Sequence, residues 1–106
     1  WRVSGIKQRV ALLHAIADRF DAGKPHLAQV ATREMGKTLA AAVAEVEKCV
    51  AGFRYYADHG PDHLAPVRFA GGIAQWQPLG PVLAVMPWNF PYWQVVRWLA
   101  PTILAR

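Results

Sequence analysis

The residues best placed to do chemistry are gathered in one segment, Met86-Pro87-Trp88-Asn89-Phe90-Pro91. Its prolines fix φ and stiffen the loop. Asn89 stands between them, with Trp88 and Phe90 as neighbours. A rigid amide flanked by aromatic rings can donate a hydrogen bond to a developing oxyanion. An asparagine there can equally cap the helix that follows, and the pattern leaves both readings open. That helix is expected from about Pro91. At about 100° per residue, Phe90, Trp93, Gln94 and Arg97 fall on one side, and Val95, Leu99, Thr102 and Ile103 on the other. The second group reads as a core face. The first suits the wall of a small polar substrate. Arg97 lies about 10 Å along the axis from Phe90, and helical side chains lean back toward the N-terminus. Its guanidinium can clamp a carboxylate a few carbons from a carbonyl held at Asn89, or it can be a surface cation in a weak ion pair.

Other candidates carry less. His59 and His63 are four apart, but Gly60-Pro61 is expected to break any shared helical face, and no third ligand is near, so no metal site is expected. Cys49 lies beside an apolar seam and reads as a small buried thiol rather than a nucleophile. Glu34-Met35-Gly36-Lys37 reads as a helix end followed by a solvated lysine. There is no GxGxxG turn and no P-loop.

The elements that must position these residues follow from periodicity and breakers. Ser4 is a possible N-cap for a helix over about 5–22, with Val10, Leu13, Ile16, Ala17 and Phe20 at helical spacing. Gly23 suits the left-handed position that ends it. Pro25 then sits in the first turn of a second helix that Gly36 terminates. Thr38 opens a third helix to about Asp58, whose seam of Leu39, Val43, Val46, Val50 and Phe53 wants a partner helix. Glu45, Glu47, Lys48 and Arg54 are placed on its other faces. Val67 to Phe69 and Ile73 to Gln77 flank Gly71-Gly72 and read as a β-hairpin, with the glycines supplying positive φ. Val82 to Met86 is a continuous apolar run, as expected of a strand buried on both faces. Strand, loop and helix make the first half of a βαβ unit. The expected fold class is thus α/β, with a helical segment over 1–64, a hairpin over 65–79 and one βα unit over 80–106. A βα unit without a second strand is not a finished sheet, so the chain reads as part of a larger one.

Composition narrows the class. Of 106 residues, 18% are charged and 54% hydrophobic, which suits a soluble globular domain rather than a disordered chain. No apolar run reaches the length of a membrane span and no signal peptide opens the chain, so a cytoplasmic protein is expected. A single cysteine excludes an internal disulfide. The net charge is +5, but the basic residues are scattered, so nucleic-acid binding is not expected.

The segment from Val85 to Pro91 resembles the hallmark loop of the aldehyde dehydrogenase superfamily. The likeness extends over nearly the whole chain, through Trp1, the helix of Arg9, Glu34 to Lys37, the long helix with Glu45, Gln77 to Val82 and the last helix. Glu47-Lys48-Cys49, Tyr55-Tyr56 and Pro91 to Arg97 are most similar to bacterial succinate-semialdehyde dehydrogenases. The resemblance implies the N-terminal, cofactor-binding part of an enzyme that oxidises an aldehyde to an acid through a thiohemiacetal, with NAD or NADP as hydride acceptor. It implies that Asn89 holds the oxyanion and that Val85, Met86, Pro87 and Trp88 line the cofactor cleft. It places Phe90 and Trp93 in the aldehyde tunnel and Arg97 on the substrate carboxylate. It also implies a homo-oligomer, since the hairpin resembles strands that pair with an oligomerisation arm. The family's nucleophilic cysteine and general-base glutamate lie downstream of Arg106, and Cys49 does not match the nucleophile. The 106 residues alone are therefore expected to be inactive. Two alternatives stay open: a non-catalytic remnant or helical interaction module, and a dehydrogenase for another aliphatic or aromatic aldehyde.

Overall fold

The structure, a computed structural model, describes residues 4–105. Trp1, which contributes to the resemblance, lies outside the described residues. Four helices and one small hairpin follow in the order α1 (Ile6–Ala22), α2 (Lys24–Met35), α3 (Leu39–His63), β1 (Val67–Phe69), β2 (Gly72–Ala74) and α4 (Trp93–Ala105).

Each helix boundary has a local cause. Gly5, not Ser4, is the N-cap of α1, and its amide donates to Gln8 Oε1 at 3.3 Å. The Ser4 hydroxyl instead accepts from Arg9 Nε at 3.1 Å. Gly23 joins α1 to α2 with φ −87°, so the expected left-handed turn is not used there. Gly36 does take it, at φ 71°, and its N–H donates to Thr32 O. Thr38 caps α3 by accepting from Ala41 N at 3.3 Å.

Helix α3 runs past Gly60-Pro61 to His63 rather than stopping near Asp58. Pro61 sits in the last turn, where its missing N–H deprives only the Ala57 carbonyl of its donor in the helix. Gly60 is buried against α4, and a Cβ there would overlap Leu104 Cδ1. The glycine is thus a packing residue and not a break. His59 and His63 consequently share a helix, and both rings approach Tyr55, at 4.7 and 6.2 Å between centroids. Among the described residues no three His, Cys, Asp or Glu side chains converge as metal ligands would.

The core lies where α1 and α4 pack on α3. Leu13, Ala17, Cys49, Val50, Phe53, Val96, Ala100 and Leu104 are among its buried residues. Phe20 and Phe53 meet edge to face at 5.5 Å, an arrangement that adds to the roughly 1.5–3 kcal/mol expected from burying a phenylalanine. A second cluster of Ala28, Ala31 and Ala42 lets α2 approach α3 closely. The expected α3 seam holds at Val46, Val50 and Phe53, which are buried, and at Val43, which is partly buried, but not at its ends and flanks. Leu39 is exposed and Glu45 is buried.

Helix α4 also turns a different face inward. Val96, Ala100 and Leu104 are buried, with Trp93 and Ile103 beside them, and Val95 is exposed. Its sequence is apolar nearly all round, so periodicity alone does not select a face. The selection comes from α3, where Gly52 and Gly60 make room for Trp93 and Leu104.

The hairpin pairs Val67 with Ala74, Arg68 with Ile73 and Phe69 with Gly72, so Gly72 belongs to β2 and the turn is Ala70-Gly71. Only Gly72 of the two glycines has positive φ, at 154°. Gln75 to Gln77 do not pair.

The largest departure is Val82 to Met86, expected as a buried strand. Its residues form no strand, and Leu83 and Val85 are each 88% exposed. A strand is made by its neighbours' hydrogen bonds, and none of the described residues offers a neighbour here. The chain from Gln75 to Phe90 therefore runs as an open apolar ribbon. It contributes to a radius of gyration of 16.2 Å, against about 13 Å for a compact domain of this length. No helix of the described residues is long and apolar enough to cross a membrane.

Candidate active site

The loop holding Asn89 is anchored at its downstream end, where α4 begins. The first amides of any helix lack an intrahelical acceptor. Here Tyr92 N and Trp93 N both donate to Glu45 Oε1, at 2.9 and 3.0 Å. Glu45 belongs to α3, 47 residues earlier, and is only 4% exposed. A carboxylate at a helix N-terminus also meets the positive end of the helix dipole. Asn89 is thus not the cap. Helical bonding has begun by Phe90, whose carbonyl accepts from Gln94 N at 3.1 Å.

The other Glu45 oxygen, Oε2, pairs with Lys37 Nζ. Lys37 was expected in solvent, yet its side chain is only 11% exposed. The ammonium lies 4.0 Å from the centroid of the Phe90 ring, within reach of a cation–π contact. Tyr92 adds a further tie, donating its hydroxyl to Leu27 O at 2.9 Å. Burial raises the Tyr92 phenol above its ordinary pKa, with the charges of Glu34 and Glu45 adding to the effect, so it stays a neutral donor. Trp93 packs over Gly52, with Lys48 Nζ 4.3 Å from its ring. Arg9 holds the far end of α4 by donating from Nη1 to Leu104 O at 3.0 Å.

The residues expected to carry function are distributed unevenly around this anchor. Asn89, Phe90 and Arg97 are exposed. No hydrogen bond among the described residues engages the Asn89 amide, and none of their carboxylates lies within ion-pair distance of Arg97. Trp93 is half-buried and part of the α3–α4 packing, more structural than expected for a substrate wall. Val85, Pro87 and Trp88 stand in the open ribbon, and Met86 is partly covered. Trp88 borders a cleft of about 500 Å³ with Val30, Ala31, Glu34, Met35, Pro91 and Tyr92. The structure therefore joins Asn89, Phe90 and Arg97 to one helix start, but gathers no closed cleft around Val85 to Trp88.

Lys37 and Glu45 were missed as site residues. The signal available for Glu45 was an acid placed among the apolar positions of α3, since it follows Ala42 by three residues and precedes Cys49 by four. Cys49 itself is fully buried. Desolvation, then the charge of Glu45, pushes its thiol from 9.0 to about 12, against smaller lowering effects of Lys48 and Lys37. Such a thiol is protonated at neutral pH and cannot act as a nucleophile.

The model of the aldehyde dehydrogenase family matches residues 1–106. The chain is 46% identical over 112 aligned residues to succinate-semialdehyde dehydrogenase [NADP(+)] 1 of Mycobacterium tuberculosis, covering 99% of this chain and 24% of that protein. It is 45% identical to succinate-semialdehyde dehydrogenase [NADP(+)] of Mycobacterium leprae, with the same coverage. Against the protein of the same name from Mycobacterium avium it is 48% identical, over 92% of this chain and 22% of that one. The chain thus spans about a quarter of the length of the curated relatives it matches.

Proposed function

The chain belongs to the aldehyde dehydrogenase family, and on that premise we propose that it is the N-terminal, cofactor-side part of an NAD(P)-dependent enzyme that oxidises succinate semialdehyde to the acid. What supports this reading is that Asn89, in the turn before α4, and Arg97, one turn into it, are both exposed and both without a competing partner among the described residues.

In this reading the Asn89 amide donates to the carbonyl oxygen as negative charge develops on it. Arg97 takes the substrate's distal carboxylate in a bidentate pair. The spacing suits a short dicarboxylic semialdehyde: Arg97 lies about one turn into α4 and eight residues after Asn89, and helical side chains lean back toward the N-terminus. Phe90 and the uncovered edge of Trp93 form the apolar wall between the two polar ends. The attacking thiolate and the base that activates water are assigned to parts of the enzyme outside these 106 residues, since Cys49 is buried and protonated.

A nicotinamide cofactor supplies a hydride acceptor when bound. The donor set of this chain fits one part of it. Val85, Met86, Pro87 and Trp88 offer an exposed apolar and aromatic surface against which a planar ring can lie. They offer no cation and no glycine-rich turn for the phosphates. We assign them to the nicotinamide side of the cleft and the remaining contacts to the rest of the enzyme. With parallel neighbours on both edges, Val82 to Met86 would become the first strand of a Rossmann-like sheet, with Asn89 at its C-terminal edge, where such sheets bind ligands. The relatives' names carry NADP(+), which makes it the cofactor to test first. The same reading includes a homo-oligomer in the cytoplasm, with the hairpin at a subunit contact.

The test is turnover by the complete polypeptide that contains this chain. Reduction of NADP+ or NAD+ in step with succinate formation is expected. Turnover of uncharged aldehydes with none of succinate semialdehyde would overturn the substrate. No turnover of any aldehyde would overturn the oxidoreductase reading.

A further inference from the structure

The Asn89 amide gains its placement from only one side. Upstream, residues Gln75 to Trp88 make no regular structure, and Trp88 is 77% exposed. Downstream, three contacts converge within four residues of Asn89. Lys37 covers the Phe90 ring, and Glu45 holds the amides of Tyr92 and Trp93. Lys37 and Glu45 are themselves joined as an ion pair in which both side chains are largely buried. One carboxylate from the second turn of α3 and one ammonium just before its N-cap thereby fix the ring that follows Asn89 and the helix start that follows the ring.

We propose that Glu45 and Lys37 form a positioning pair for Asn89, so that the reach and pairing of Glu45 set how well the amide meets the oxyanion. The proposal rests on the assignment of Asn89 made above and adds residues to which no role has been given. Neither residue touches substrate. Both act through the backbone and the Phe90 ring. A displacement of about 1 Å in such a donor can cost about 100-fold in rate, so loosening the pair should lower kcat and leave the cofactor KM in place.

Glu45→Gln keeps an oxygen for the two amides but removes the ion pair, and Lys37→Gln removes the cation from both Glu45 and Phe90. Each is made in the complete enzyme alone and combined with Asn89→Ala, with folding checked by circular dichroism. Using both variants keeps the test open should one of them fail to fold. Asn89→Ala alone is expected to lower kcat by about 100-fold or more. Glu45→Gln alone is expected to lower kcat about 10-fold, and by less than about 2-fold once Asn89 is already alanine, since residues acting through one another are not additive. An equal loss from Glu45→Gln or Lys37→Gln in both backgrounds overturns the positioning role and leaves the pair as ordinary packing. A kcat unchanged by Asn89→Ala overturns the assignment of Asn89, and the pair's proposed role with it.

Discussion

Cys49 gives a quantitative test of the core. Its thiol is fully buried and is raised from 9.0 to about 12, chiefly by desolvation. Only the thiolate reacts at a useful rate with iodoacetamide or an aromatic disulfide. At pH 8 a thiol held at about 12 rather than 9.0 has a thiolate population about 1,000-fold lower. The barrier to reagent entry adds to that factor. Pulse labelling of the complete folded protein, with the Cys49 peptide quantified by mass spectrometry, should give a rate at least about 1,000-fold below that of the same peptide free in solution. Labelling within about 10-fold of the free peptide would refute the packing of α3 against α1 and α4. The same shift fixes a pH dependence. The folded thiol holds its proton to about 12 and the unfolded one releases it near 9.0. The contribution of the protonated thiol is therefore fully present below pH 9, and stability falls by up to about 1.4 kcal/mol per pH unit above it. Cys49→Ala should abolish that alkaline slope, whatever it does to stability at neutral pH.

Two further outcomes follow from the fold. Gly36→Ala places a β-carbon on a residue at φ 71°, which should cost about 1–2 kcal/mol; chemical denaturation of the enzyme would read it, and an unchanged midpoint would contradict the left-handed cap. The 106-residue chain by itself presents Leu79, Leu83 and Val85 almost fully to water. It should self-associate or bind hydrophobic dyes, and a monodisperse monomer with a sharp thermal transition would contradict that expectation.

Helical periodicity and caps were legible where the determinants are local. The start of α3 at Thr38, the turn at Gly36 and the α1 positions Leu13 and Ala17 all follow from residues within a few places of one another. Two local expectations failed, the cap at Ser4 and the left-handed turn at Gly23, but the larger departures depended on distant partners. Pro61 marks a helix end by its own chemistry, but the packing of Gly60 on Leu104 lets α3 continue. Val82 to Met86 has the composition of a buried strand, yet composition cannot supply the neighbouring strands that would define it. The inward face of α4 was misjudged because Val95 and Val96 are equivalent in sequence, and only the glycines of α3 distinguish them. The loop around Asn89 was visible as a chemical motif. Its anchor was not, because a glutamate on a helix reads as solvated until the amides of Tyr92 and Trp93 arrive, 47 and 48 residues later.

In the proposed enzyme, α4 presents Arg97 to the substrate carboxylate while Asn89 meets the carbonyl oxygen. The most direct measurement compares Arg97→Ala with the unaltered complete enzyme on succinate semialdehyde and on an uncharged aldehyde of similar length. A lost charge-assisted pair is worth about 1.5–3 kcal/mol. The kcat/KM for succinate semialdehyde should therefore fall by about 10- to 150-fold, mostly through KM, with the uncharged aldehyde changed less than about 3-fold. Equal losses on both aldehydes, or none on either, would contradict the carboxylate role and with it the choice of substrate.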